Sequence, residues 1–221
     1  MKKFFKKFFR NKSKIKEETY KKIILPKIIE FSKIVTAKET ISFMHYGHLG
    51  DIINSLPIIK ELSKTKICNL YIQKNKKIPD HVVSKEHPFG SVYLTENAIL
   101  KMLPLLKNQK FLNKVEIYDD QKIDIDLNFF RELPINFNID SVRWYFHLTG
   151  CFPDLSNNYL EVSSHDKYNN YIVIMRSLRR QNKFIDYSFL SSYKNLVFVG
   201  LRNDFIYSDL NKGLKNNAKM N

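Results

Sequence analysis

The chain of 221 residues is poor in several residue types that mark common protein classes. It has only two cysteines, Cys68 and Cys151, which lie far apart in the sequence and lack the short spacing of zinc ligands. Neither a disulfide framework nor a cysteine-based zinc site is therefore predicted, and a reducing cytoplasm fits this usage. No apolar run approaches the ~18–20 residues that a membrane-spanning helix needs. The length suits one full α/β domain and part of another.

Acidic residues are also scarce, since 22 Asp and Glu stand against 37 Lys and Arg, a net charge of +15. Residues 1–38 carry +10 of this charge, so the basic character belongs mainly to an N-terminal extension. Residues 1–10 alternate pairs of phenylalanine with pairs of basic residues, which on a helix gives an aromatic face opposite a basic face. A signal peptide is not indicated, because no continuous apolar core follows the charges.

Three interpretations of this extension remain open from the sequence. A basic amphipathic helix over residues 1–16 suits an anionic membrane surface. The same aromatic face would also pack against the protein's own domain. Nucleic-acid binding is the weakest of the three, because no nucleic-acid motif accompanies the charge. A second helix is predicted over residues 17–34, with Ile24, Ile28 and Phe31 at helical spacing and a kink at Pro26.

Glycine is scarce as well, and two of the six glycines, Gly47 and Gly50, lie three apart at one junction. An apolar run over residues 40–44 predicts a buried strand before them, and residues 51–62 predict an amphipathic helix after them. A strand, a glycine turn and a helix N-terminus form a corner that binds anions, because the first helical N–H groups lack partners. Asp51 stands at the helix start, where a carboxylate either caps the helix or acts as a base.

The remaining pattern alternates strands and helices, which predicts an α/β fold. Strands are predicted at 67–73, 115–118, 123–127, 170–176 and 196–200, and helices at 96–106, 141–148 and 184–193. Gly150 is predicted to end the second of these helices, 141–148. The polar, asparagine-rich residues 209–221 are predicted to be a disordered tail. No metal site is predicted, because the acids between 119 and 126 fit a polar strand end better than a cation site.

Two stretches resemble glycosyltransferases of the GT-B fold, most closely the ADP-heptose–lipopolysaccharide heptosyltransferase family. The first is Gly50-Asp51-Ile52-Ile53-Asn54-Ser55-Leu56-Pro57, which opens the N-terminal Rossmann-like domain in that family. The second is Arg179-Arg180-Gln181-Asn182-Lys183-Phe184, which follows the strand that opens the second domain. The resemblance covers roughly residues 40–204, with long unmatched stretches.

The resemblance implies sugar transfer from a nucleotide-activated donor to a cell-surface saccharide or lipid-linked acceptor, without a metal or other cofactor. It makes Asp51 the general base that takes the proton from the acceptor hydroxyl. It places the substrate beside four residues of the glycine turn: His45, Gly47, His48 and Gly50. It places the donor's diphosphate against three basic residues of the second domain: Lys183, Arg179 and Arg176.

Each of these residues also has a structural interpretation that the sequence leaves open. Asp51 would only cap its helix, the two glycines would only form a turn, and Lys183 and Arg179 would form a solvated face. His45 and His48 would fill a structural or exposed position instead of contacting a substrate.

The resemblance also implies a domain organisation. An extension over residues 1–38 precedes a Rossmann-like acceptor-side domain over 39–165, a partial α/β unit over 166–208 and the tail 209–221. The second unit is shorter than the family's donor-binding domain. The alternative function is therefore a catalytically inactive GT-B remnant that binds a saccharide or a protein. Either way the expected location is the cytoplasm, and the inner face of a membrane if the extension binds lipid.

Overall fold

The computed structural model describes residues 17–79, 90–129, 141–163, 166–175, 185, 187–200 and 218–220. The chain divides into two compact units, Met1–Val162 and Ser163–Asn221. Each contains a parallel β-sheet, and the first also contains α-helices, so the predicted α/β class is confirmed. The basic residues predicted to bind the donor's diphosphate, Lys183, Arg179 and Arg176, lie outside the described residues.

The first unit is a Rossmann-like arrangement of four parallel strands with helices. Its helices are α1 (Leu25–Ala37), α2 (Leu49–Leu62), α3 (Glu96–Lys107) and α4 (Ser141–Thr149), and its strands are β1 (Thr40–His45), β2 (Ile67–Ile72), β3 (Lys114–Ile117) and β4 (Ile125–Asp126). The order across the sheet is β3-β2-β1-β4. After β1 the chain builds β2 and β3 to one side and then returns to place β4 on the other. The strand order therefore reverses between β1 and β4.

The core of this unit follows from the apolar strands. Phe43 of β1 pairs with Leu70 of β2, and both are fully buried. In β2 every residue after the first is buried, as expected for a parallel strand that is covered on both faces. Helix α2 adds Ile52, Leu56 and Ile59 at helical spacing, all with no exposed surface.

The helix predicted over residues 17–34 is present, and its hydrogen-bond pattern changes just before Pro26. A π-helical turn, Tyr20–Ile24, leads directly into α1, and Pro26 lies in the first turn of α1. Ile24 and Phe31 are buried, as their spacing predicts. The end of α1 is tied to the sheet by an ion pair between Lys38 and Asp124, whose Oδ2 also accepts the N–H of Ser42 at 2.9 Å.

The prediction that Gly150 ends α4 is confirmed. Gly150 ends the helix in the left-handed conformation, with φ of 68°, and its N–H donates to the carbonyl of Phe146 at 2.9 Å. Trp144, the only tryptophan of the chain, belongs to the core with 3% of its surface exposed. Helix α4 packs against α1 and α2.

The second unit corrects two predictions. Its sheet has three parallel strands in the order β5 (Ile172–Met175), β6 (Leu196–Val199) and β7 (Ala218–Met220), so the predicted disordered tail contains a strand. Strand pairing uses backbone groups, which a polar sequence also supplies. Within the range predicted as a helix over 184–193, the described part forms a 3₁₀-helix, Ser188–Ser192. The strand predicted at 196–200 is present as β6, and its residues Leu196, Val197 and Phe198 are buried.

Among the described residues, each helix is too short or too polar to cross a lipid bilayer.

Candidate functional site

The candidate site lies where the strand order of the first sheet reverses. Strands β1 and β4 are parallel neighbours, with Phe43 opposite Ile125 and Met44 opposite Asp126, so their carboxyl ends lie at the same edge. In open parallel sheets, ligands bind at this edge, in the crevice where neighbouring connections diverge. The glycine turn follows β1 at this edge, and the segment from Leu127 follows β4.

Gly47 is where these two connections meet. It is buried, and a Cβ built on it would lie 2.9 Å from Asn128 Oδ1, 2.9 Å from His45 Cε1 and 3.1 Å from the Cβ of Asp51. Contacts this short are not tolerated between ordinary side chains, so only glycine lets the three residues converge. Gly47 therefore does more than form a turn, because its lack of a side chain lets Asn128, His45 and Asp51 approach one another.

Gly50 has a different position, although it belongs to the same sequence pattern. It lies in the first turn of α2, is exposed, and has no atom within 4 Å of the position that a Cβ would take. Nothing in the described part of the chain therefore requires glycine there. The N–H groups of Leu49 and Gly50 make no hydrogen bond among the described residues, so two donors at the helix start remain available to a ligand.

Asp51 occupies the third position of α2, and the helix begins two residues earlier than the sequence predicts. The backbone N–H of His48 donates to Asp51 Oδ2 at 3.1 Å, so the carboxylate does cap the helix start. A carboxylate accepts up to about four hydrogen bonds, so capping the helix is compatible with proton transfer as well. Asp51 is half-buried at the sheet edge that ligands use.

His45, which the resemblance placed beside the substrate, lies inside the fold. His45 has no exposed surface, its Nδ1 accepts the N–H of Gly47 at 3.0 Å, and its Nε2 lies 2.9 Å from the hydroxyl of Tyr145. Because Nδ1 accepts, the proton of the neutral ring lies on Nε2, which donates to Tyr145. His45 therefore holds the glycine turn from inside the fold and anchors it to α4.

His48 remains at the surface of the site. It is half-buried, and its Nδ1 donates to the carbonyl of Tyr93 at 3.2 Å. Its ring also packs on that of Tyr93, with the ring centroids 5.2 Å apart. Tyr93 in turn packs on Tyr46, which joins the glycine turn to the segment before α3. His48 is therefore oriented by neighbours, which favours a binding role over proton transfer through Nδ1.

Two residues of the site were not predicted from the sequence. Asn128 could have been found, because a polar residue just after a parallel strand lies at the edge where ligands bind. Tyr145 could not, because no local pattern shows that residue 145 lies beside residue 45.

Neither cysteine has the lowered pKa of a reactive thiol. Burial raises the pKa of Cys68 to about 12 and that of Cys151 to about 11, so both are protonated at neutral pH and poor nucleophiles. Among the residues that the structure describes, no three His, Cys, Asp or Glu side chains are grouped as metal ligands would be.

A second concave feature lies at the other end of α2. It is a groove of about 330 Å³ with Lys60, Glu61 and the exposed ring of Phe152 in its lining. At 1.5 Å per residue, Glu61 lies ~15 Å along the helix from Asp51. The charged side chains of the groove have partners nearby: Glu61 pairs with Lys64, and the Lys60 ammonium donates to the carbonyl of Asn158 at 2.7 Å. The groove is therefore separate from the site at Gly47.

Comparisons of the chain with protein-family models, with curated proteins and with solved structures found no match.

Proposed function

We propose that the protein is a glycosyltransferase of the GT-B type that transfers a sugar from a nucleotide-activated donor to a saccharide or glycolipid hydroxyl. The observation that supports this most is the position of Asp51. It is a half-buried carboxylate at a glycine turn between a parallel strand and a helix, on the edge where the strand order reverses. The sequence resemblance around Gly50 and Asp51 points to the same residue.

In the proposed reaction Asp51 takes the proton of the acceptor hydroxyl while the hydroxyl oxygen bonds to the anomeric carbon of the donor sugar. The bond between that carbon and the diphosphate oxygen breaks, and its electron pair leaves with the nucleoside diphosphate. The N–H groups of Leu49 and Gly50, which have no hydrogen-bond partner among the described residues, are suited to hold the acceptor oxygen as Asp51 removes its proton. Under this proposal Lys183, Arg179 and Arg176 compensate the charge of the leaving diphosphate.

Release of nucleoside diphosphate tests the proposal directly. The full chain is incubated with UDP-, GDP- and ADP-activated sugars, with and without glycolipids extracted from cell envelopes, and the released nucleoside diphosphate is quantified by ion-exchange chromatography. We expect one donor to be consumed at a rate that rises with acceptor. Donor binding without turnover would contradict the proposal, and no donor binding at all would favour the inactive saccharide-binding remnant.

The proposal includes a peripheral position on an anionic membrane, which would bring the protein to a lipid-linked acceptor. Residues 1–16 hold eight basic and no acidic residues, and each basic residue near an anionic surface contributes about 1 kcal/mol. The described helix next to them supports this, because Ile23, Leu25 and Ile29 are exposed. Lys22 and Lys33 are exposed as well and form no ion pair within the described part of the chain.

Vesicle flotation checks the membrane proposal. We expect the full chain to float with vesicles rich in anionic phospholipid, to stay behind with phosphatidylcholine alone, and to be released by salt. Deleting residues 1–16 should abolish flotation, and the double change Ile23→Ser with Ile29→Ser should weaken it. Binding that survives the deletion would rule out the N-terminal extension as the anchor.

A further inference from the structure

Asn128, the second residue after β4, carries a polar side chain for which the fold offers no partner. It has no exposed surface, and neither its Oδ1 nor its Nδ2 makes a hydrogen bond among the described residues. Its backbone N–H donates to Asp126 Oδ1 at 2.8 Å, which fixes the turn that carries the side chain. A buried amide without partners is costly, and native structures rarely keep one without a functional reason.

The side chain is directed at the glycine turn. Asn128 Oδ1 lies 2.9 Å, and the Cβ of Asp51 3.1 Å, from the point that a Cβ on Gly47 would occupy. The amide of Asn128 and the side chain of Asp51 thus approach the same point next to Gly47, two residues before α2 begins at Leu49. The strand end after β4 and the helix start after β1 both contribute polar groups to one small space.

The chemistry of these groups selects a neutral ligand that both donates and accepts hydrogen bonds. A carboxamide offers an acceptor and two donors, the helix start offers donors, and Asp51 accepts. The carboxylate already compensates the positive end of the helix dipole and repels a phosphate or a second carboxylate. Neighbouring hydroxyls of a sugar fit this set, since each hydroxyl donates and accepts.

We propose that Asn128 is a binding residue for the sugar acceptor, and that it holds the hydroxyl next to the one that Asp51 deprotonates. This inference rests on the proposed glycosyl transfer. It extends that proposal by stating that the part of the acceptor bound here carries several hydroxyls and no charge. The amide is closed to bulk solvent, so a hydroxyl reaches it when the Gly47 turn moves. Pairing two buried polar atoms offsets the cost of that movement.

The test compares Asn128→Leu with Asn69→Leu. Leucine has the branching and the number of side-chain heavy atoms of asparagine but no polar atoms. Asn69 is a matched control, because it is also buried but its amide is paired, with Oδ1 accepting from Asn113 Nδ2 at 2.8 Å. We expect Asn128→Leu to raise the Tm by ~2–4 °C and Asn69→Leu to lower it.

Binding is measured on the same variants of the full chain by ligand-observed NMR, with methyl glycosides of glucose, galactose and mannose as neutral probes and inorganic phosphate as the anionic probe. We expect the wild type to bind at least one glycoside, Asn128→Leu to lose about tenfold in affinity, and Asn69→Leu to keep it. Phosphate should bind to Asp51→Asn and not to the wild type.

Three results would overturn the inference. The first is that the Tm of Asn128→Leu falls as the Tm of Asn69→Leu does, which would mean that an internal water already pairs the amide. The second is that both variants bind the glycosides with equal affinity. The third is that the wild type binds no glycoside. Glycoside binding that depends on Asn128 in a protein that turns over no nucleotide sugar would sustain the subsite and refute the transferase.

Discussion

Replacing Gly47 with alanine should destabilise the protein by about 2–3 kcal/mol, because the new Cβ overpacks a space that has no room for it. That Cβ would lie 2.9 Å from both Asn128 Oδ1 and His45 Cε1. His45 cannot move away cheaply, since both its ring nitrogens are held, one by the Gly47 N–H and one by Tyr145. Urea unfolding, followed by circular dichroism, measures the effect.

Gly50→Ala is the control within the same motif. It lies on an exposed first turn of α2 with no atom within 4 Å of the new Cβ, so the better helix propensity of alanine should stabilise the protein by up to about 1 kcal/mol. Equal effects of the two changes would mean that Gly47 is only a turn residue and that its neighbours yield easily.

Replacing Asp51 with asparagine should lower the rate of sugar transfer by about 10²- to 10⁴-fold, the range that a positioned general base contributes. Asparagine keeps an oxygen that can accept the N–H of His48, the bond that Asp51 accepts at 3.1 Å. The loss of stability should therefore stay near 0.3–1 kcal/mol, the contribution of a charge at a helix end. Initial rates with the consumed donor and thermal melting of the same samples separate the two effects.

Glu61→Gln makes the same chemical change at the other end of the same helix. Glu61 pairs with Lys64 at the surface, so its loss should leave the transfer rate unchanged and cost little stability. If Asp51→Asn transfers sugar at the rate of the wild type and melts at the same temperature, Asp51 is not the general base and only caps the helix.

The helices and strands of the first unit could be predicted well because each carries its own signal. The run before the glycine turn is apolar, the helix after it is amphipathic, and Gly150 marks a stop, so β1, α2 and the end of α4 lie within a residue or two of their predicted bounds. The second unit was predicted less well. Strand β7 is only three residues long, lies in an asparagine-rich stretch and forms through backbone pairing with β6, which the side-chain pattern does not indicate.

The sequence by itself determined that an acidic side chain follows a glycine turn at the start of a helix, because that is a matter of neighbouring residues. Only the tertiary structure decided what surrounds the turn. It buries His45 and hydrogen-bonds it to Tyr145, a hundred residues further along the chain. It also brings the side-chain amide of Asn128, which has no partner among the described residues, next to Gly47. The contact of Asn128 with the glycine turn arises because β4 pairs with β1. Which distant strands pair depends on the packing of the whole sheet, and local sequence does not determine it.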